Sequence, residues 1–356
     1  MRKTLTLCLL LAIPAVAQRP PIRHVFTIVL ENKSFDETFG PNSPAPYLSK
    51  QVTAQGELLT NYYAIGHNSL DNYIALVSGQ APNVITQSDC QIYQDFLPRS
   101  PVKVDVNGQI VGQGCVFPSE IKTIADQLAA NQLTWRGYME DMSQPCLHPA
   151  LNTQDQTQTA KVGDQYAARH NPFVYFHSII DTPSCAANDV PLTQLAADLQ
   201  QQATTPNYVF ITPNLCHDGH DSPCVDGEPG GLVSADAFLR QWVPQILSSP
   251  AYQRDGLLLI LFDEAEFGAS NSDTTACCTE LPGPNSPVPG ITGPGGGRVG
   301  ALVLSKFVRP GTVVTTPYNH YSILRTIEDL FGLDHLGFAG QAGLDSFGLD
   351  VFVTVP

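Results

Sequence analysis

Positive charge is what this chain has least of. Its 356 residues carry 18 Lys and Arg against 33 Asp and Glu, a formal net charge of −15. So acidic a surface excludes nucleic acid and anionic membrane as partners drawn in by charge. Long apolar runs are missing too. Beyond the first residues no stretch is long and apolar enough to span a bilayer. The CxxC and CxxH spacings of a zinc ribbon do not occur, which argues against a structural zinc cluster. No G-x-S-x-G is present, so a serine esterase's nucleophile elbow has nowhere to form. Internal repeats and clear linkers are also absent, and one domain over residues 18–356 is expected.

What the chain does have begins at its start. "MRKTLTLCLLLAIPAVAQ" places Arg2 and Lys3 before a short apolar core and the small-residue site Ala15-Val16-Ala17. That layout predicts a secretory signal peptide cleaved after Ala17, with an uncleaved anchor as the alternative. The mature chain is then exported, to a periplasm or the exterior. Loss of Arg2 and Lys3 leaves 16 cationic residues against 33 acidic ones, a net charge of −17. Cys8 leaves with the leader, and an even number of cysteines remains for an oxidising compartment, which predicts disulfides. Their pairing is not readable, although the adjacent Cys277 and Cys278 could anchor their loop through two separate bridges.

Apolar strand-like runs at 24–30, 133–138, 173–179, 207–211, 256–262 and 299–304 alternate with helical patterns at 71–78, 119–131, 191–202, 233–248 and 319–331. This order predicts an α/β fold, a mostly parallel sheet with helices on both faces. Segments 80–117, 139–170 and 264–298 read as long loop excursions. The last contains a literal GxGxxG, Gly295 to Gly300, but it precedes a strand. A dinucleotide fingerprint must follow one.

Ligands of an open α/β sheet sit outside the carboxyl ends of its strands. There the run "HVFTIVL" stops at Glu31-Asn32, and "GLLLILF" stops at Asp263-Glu264. The run "NYVFI" leads into "TPNLCHDGHD" with Asn214, His217, Asp218, His220 and Asp221. His320 opens the helix "HYSILRTIEDLF". A carboxylate ending a buried strand needs a partner. Carboxylates and imidazoles together suit zinc, calcium, magnesium or manganese. Ser69 precedes an apolar helical run, where a helix N-terminus favours an anion. It is a nucleophile there or simply an N-cap.

"ENKSFDETFG", "TPNLCHDGHD", "LLILFDEAE" and "NHYSILRTIEDLFGL" resemble, in that order, the signature blocks of the bacterial phosphoesterase family of the alkaline phosphatase superfamily. That family holds acid phosphatases and phospholipases C. The likeness runs from about Ile22 to about Gly337, and "GGGRVGALVLSKFVRPG" is similar to the strand and turn before the last block. The resemblance implies a metal site from Glu31, Asn32, Asp263 and Glu264, and a second cluster from Asp218, His220 and His320. It places the nucleophile on Ser69, in a segment similar to "HPSLPNY" where Asn68 and Asp71 replace the two prolines. Lys33 stands where the family usually has Arg. His67 and His217 are candidate phosphate contacts.

The function expected from the resemblance is metal-dependent hydrolysis of small phosphate esters through a phosphoserine, monoesters before choline phospholipids. Only Trp135 and Trp242 could supply indole faces for a quaternary ammonium. A phospholipase C-type phosphodiesterase is the first alternative and a non-catalytic exported binding protein the second. Oligomeric state is not readable.

Overall fold

A computed structural model describes residues 19–99, 104–268 and 272–353. The expected leader and its cleavage at Ala17 lie outside the described residues. Eight strands form one sheet: His24–Leu30 (β1), Glu57–Leu59 (β2), Trp135–Met139 (β3), Asp189–Pro191 (β4), Tyr208–Thr212 (β5), Gly256–Phe262 (β6), Ala301–Ser305 (β7) and Thr312–Val314 (β8). Their order is β8-β2-β7-β6-β1-β5-β3-β4, and only β7 runs against its neighbours. The expected mostly parallel sheet is therefore present. Every residue of central β1 and β6 is buried, which is why both read as unbroken apolar runs.

Register then builds the site. Leu30 lies opposite Phe262 in the parallel pair β1–β6, so Glu31 and Asp263 leave the sheet side by side. The Asp263 N–H donates to the Leu30 carbonyl and the Glu31 N–H to that of Asp218, at 2.8 Å each. Four helices matter here: Ser69–Ser78 (α1), Ile124–Ala130 (α2), Gly231–Ser248 (α3) and His320–Phe331 (α4). All ten residues of α1 are buried, and it packs on α4. Gly79 ends α1 with φ 65°, and a Cβ there would strike the Leu336 carbonyl, so the position requires glycine.

Three expected elements differ. Residues 173–179 are no strand: Pro172 opens a 3-10 turn, Pro172–Tyr175, followed by the short helix His177–Ile180. Its Phe and Tyr side chains are apolar because they are core, not because they alternate. The helix expected over 119–131 begins only at Ile124, because Thr123 and Asp126 form a reciprocal capping box. Residues 191–202 break up. Pro191 ends β4, Leu192–Gln194 is one 3-10 turn, and Leu195–Asp198 a single helical turn.

Disulfides join Cys90 to Cys115, Cys146 to Cys185, Cys216 to Cys224 and Cys277 to Cys278. The two bridges expected from Cys277 and Cys278 are thus one, between chain neighbours, since every other described cysteine is already paired. Among the described residues no helix is long and apolar enough to cross a membrane.

Asp189 of β4 yields a pH prediction. It is fully buried, accepts from Asn171 Nδ2 at 2.8 Å, and its Oδ1 has no partner. Burial pushes its carboxyl up to about 7. A raised folded value means the native state holds the proton longer than the unfolded chain. The stabilisation is therefore full below about pH 4 and is lost as pH rises toward 7, on the order of 4 kcal/mol in all. Asp189→Asn should remove this slope. Melting both proteins from pH 4 to 7.5 checks it, and a difference between the curves that does not change with pH would contradict it.

Candidate active site

Three fully buried carboxylates converge where β1, β5 and β6 end. Glu31 accepts from Tyr73 Oη at 2.6 Å through Oε1 and from Ser69 Oγ at 2.7 Å through Oε2. Asp263 Oδ1 accepts the backbone N–H groups of Asn32 (3.0 Å) and Glu264 (2.6 Å), while its Oδ2 has no partner. Asp218 Oδ1 accepts the His220 N–H at 2.8 Å, and its Oδ2 is likewise unpartnered. Burial, then the charges of Asp263 and Asp218, push the Glu31 carboxyl well above the ordinary range. Burial raises Asp263 to about 6 and Asp218 to about 7.

His170 completes the cluster, and nothing in the sequence reading pointed to it. The ring is buried, with Nε2 3.4 Å from Glu31 Oε2 and Nδ1 3.6 Å from Asp218 Oδ2, and neither nitrogen is hydrogen-bonded. It stacks on Tyr73, and burial holds its pKa well below the usual imidazole range. Neutral imidazole nitrogens and orphaned carboxylate oxygens in one dry space are a costly arrangement for protein alone. They form the donor set that a divalent cation satisfies.

Ser69 is the first residue of α1, following an N-cap Asn68 with φ 70° and ψ 141°. Asn32 is also left-handed, with φ 54°. Both strained residues flank the cluster, as is common where side chains must be aimed. A polar cleft of about 310 Å³ opens over it, lined by Asn32, Lys33, Ser69, His220, Glu264 and Phe267 among others.

The remaining expected residues divide. Glu264 and Asn32 line the cleft. His220 does too, with Nδ1 on Asp221 Oδ1 at 2.8 Å and its pKa raised by that bond. His67 contacts Glu264 through Nδ1, and its Nε2 meets the Asp273 carbonyl at 2.9 Å. A carbonyl can only accept, so Nε2 carries the hydrogen. Burial lowers this imidazole to about 4 and raises the Glu264 carboxyl, so the ring is neutral and Nδ1 accepts a hydrogen bond from the Glu264 carboxyl. His67 thus orients Glu264 from behind. His320 is similarly engaged, donating from Nε2 to the Asp263 carbonyl (2.6 Å) and accepting from Tyr62 Oη (2.7 Å). With both nitrogens in use, it braces Asp263 rather than facing the cleft. His217 sits between Glu140 (2.9 Å) and Glu228 (3.4 Å), and the Glu140 bond raises it to about 9. It is not among the cleft-lining residues. The tight grouping Cys216, His217 and Glu228 offers no thiolate, since Cys216 is in a disulfide.

The fold is that of the alkaline phosphatase superfamily. A superfamily protein from Vibrio parahaemolyticus superposes with TM-score 0.50 at 14% identity, covering 90% of this chain and 69% of that one. The sulfatase PsFucS1 from Pseudoalteromonas sp. superposes with TM-score 0.51 at 11% identity, covering 94% and 72%. The chain belongs to the Phosphoesterase family, which it matches over residues 43–334. Glu31 and Asn32 lie just ahead of the matched stretch. The phosphate-repressible acid phosphatase of Penicillium chrysogenum is 28% identical over 310 residues, 87% of this chain. The phosphatidylinositol-3-phosphatase of Mycobacterium tuberculosis is 24% identical over 328 residues, 92% of this chain and 83% of that protein. This chain spans only 59% of the Penicillium enzyme's length.

Proposed function

We propose that the chain is an exported, metal-dependent phosphoesterase that hydrolyses small phosphomonoesters through a phosphoserine on Ser69. One observation carries the reading: Ser69 Oγ donates at 2.7 Å to Glu31, inside a cluster with two orphaned carboxylate oxygens and an unbonded imidazole. Glu31, Asn32, Asp263 and Glu264 would hold the cation, and Asp218 and His170 would offer it further donors. Bound there, it would supply positive charge to the serine oxygen and to the phosphoryl oxygens.

The chain's own groups do the rest. Glu31 takes the Ser69 proton as Oγ forms its bond to phosphorus, and the ester oxygen leaves with the pair of the broken P–O bond. His220 lines the cleft with Nε2 free of protein partners among the described residues, placed to protonate the leaving oxygen. Water then attacks phosphorus and gives its proton to His220, the P–Oγ bond breaks to release phosphate, and the proton held by Glu31 returns to Ser69 Oγ. Tyr73 keeps Glu31 oriented throughout. Export is supported by the four disulfides. Relatives named as acid phosphatases and a phosphatidylinositol-3-phosphatase favour monoesters.

The expected result is a kcat/KM for small monoesters, inositol phosphates included, above that for phosphatidylcholine under one metal and pH condition. Preference for the choline phosphodiester would move the protein to the phospholipase C reading.

A further inference from the structure

Asp71 is a buried carboxylate that the site at Ser69 leaves unused. It stands in the first turn of α1, two residues past Ser69, and only 1% of it is exposed. Two positions turn a helix by about 200°, so Asp71 leaves α1 on the side away from Ser69. It is not among the cleft-lining residues. Among the described residues neither of its carboxylate oxygens has a hydrogen-bond partner. Backbone donors beside it are already taken, since Asn72 Oδ1 accepts the N–H groups of Ile65 (2.9 Å) and Gly66 (3.0 Å). A Cβ at Gly66 would come within 2.5 Å of Asp71 Oδ2, so only glycine leaves room for this carboxylate.

Two more oxygen-bearing groups reach the same seam. Tyr321 lies in the first turn of α4, is 1% exposed, and its hydroxyl has no partner among the described residues. Its ring packs in one cluster with Ile65 and Ala75, and Cys278 lies against that cluster. Ala75 is one turn beyond Asp71 on the same face of α1. Glu280 follows Cys278 by two residues and accepts at 3.3 Å from Nδ2 of Asn319, the residue that caps α4. Burial, then the charges of Glu280 and Asp71, push the Tyr321 hydroxyl up. Burial, then the charges of Asp89, Asp263 and Glu280, push the Asp71 carboxyl up, and only the Asn72 N–H, outside hydrogen-bond geometry, opposes this. So many open lone pairs in a buried seam are costly for protein alone. Glu280 is partly exposed, which gives the seam an entrance from solvent.

We propose that Asp71, Glu280 and the Tyr321 hydroxyl hold a cation of their own, a hard one of the calcium type, between α1, α4 and the loop 264–298. Oxygen donors alone suit such ions, whereas the cluster at Ser69 also offers an imidazole. No thiolate competes, because Cys277 and Cys278 are bridged to each other. The ion would pin the helix that carries Ser69 to α4, whether or not the cluster at Ser69 hydrolyses phosphate esters. Proline at position 71, as in "HPSLPNY", would offer it no ligand.

The test strips the protein by chelation, titrates calcium chloride into it by calorimetry and counts bound calcium by mass spectrometry. Running it in Asp263→Asn as well as in wild type weakens the cluster at Ser69 and leaves one calcium to follow. Asp71→Asn should weaken that ion about tenfold or more, and Glu280→Gln should do the same. Millimolar calcium should raise the melting temperature of the Asp263→Asn protein, and raise it less once Asp71→Asn is added. Stripped of metal, Asp71→Asn should melt no lower than wild type, since an amide replaces a buried, unpaired carboxyl. That result separates a lost ligand from a misfolded protein. Unchanged calcium affinity and count in both Asp71→Asn and Glu280→Gln would overturn the site and leave Asp71 a protonated buried acid. A stripped Asp263→Asn protein that takes up no calcium at millimolar concentration would overturn it too.

Discussion

Ser69→Ala should lose at least about 10³-fold in kcat on an aryl phosphate while remaining folded and binding its metal. The structure makes this a sharp test, because the competing explanation for Ser69 predicted an N-cap. Asn68 occupies the cap position instead, and the Ser69 hydroxyl donates to Glu31 rather than accepting from the helix N–H groups. Removing the hydroxyl should therefore spare the helix. Its structural effect is confined to one lost donor on Glu31 Oε2, roughly 1 kcal/mol. Initial rates, metal content and a melting curve on the same sample separate the outcomes. A variant that keeps more than about a tenth of wild-type turnover would remove Ser69 from the mechanism.

Asp263→Asn should weaken binding of a divalent cation by about 100-fold or more and leave the metal-free protein at least as stable as wild type. Asp263 stands with Glu31 and Asp218 in one buried cluster; burial raises all three carboxyls, and the charges of Asp263 and Asp218 raise Glu31 further. Without a cation the cluster is a source of repulsion and desolvation. Asn keeps an oxygen for the two backbone N–H donors that Oδ1 now serves. What it loses is the orphaned Oδ2, the oxygen that would ligate the cation. A destabilised metal-free variant with unchanged affinity would assign Asp263 a purely structural role.

The parts of this site that follow from strand logic were legible in sequence. Glu31 and Asp263 end unbroken apolar runs, and parallel register does the rest. Asp218 and His220 were visible as a dense polar cluster after a strand. His170 was not, nor were Arg169 and Asp89, which also line the cleft, because they come from excursions that carry neither a helical nor an alternating period. The 3-10 turn Ala168–His170 and the turn at Asp89 are held by crosslinks and side-chain bonds between distant segments. A signal existed in "ARHNPF", three polar side chains just before a proline-led turn. It gained meaning only when the turn packed against α1. His320 was legible as a residue of the site, but its second bond, to Tyr62, was not. Tyr62 reaches it because a short parallel pairing of Tyr62–Tyr63 with Tyr318–Asn319 joins segments far apart in the chain.

Metal dependence of the wild-type protein is the most direct test of the whole account. The protein would be stripped by chelation, its metal content verified by mass spectrometry, and phosphate release from an aryl phosphate measured before and after adding zinc, calcium, magnesium or manganese. The account predicts that release stops in the stripped protein and returns with one of these ions, bound tightly in the wild type and weakly in Asp263→Asn. Full activity in a verified metal-free sample would contradict it.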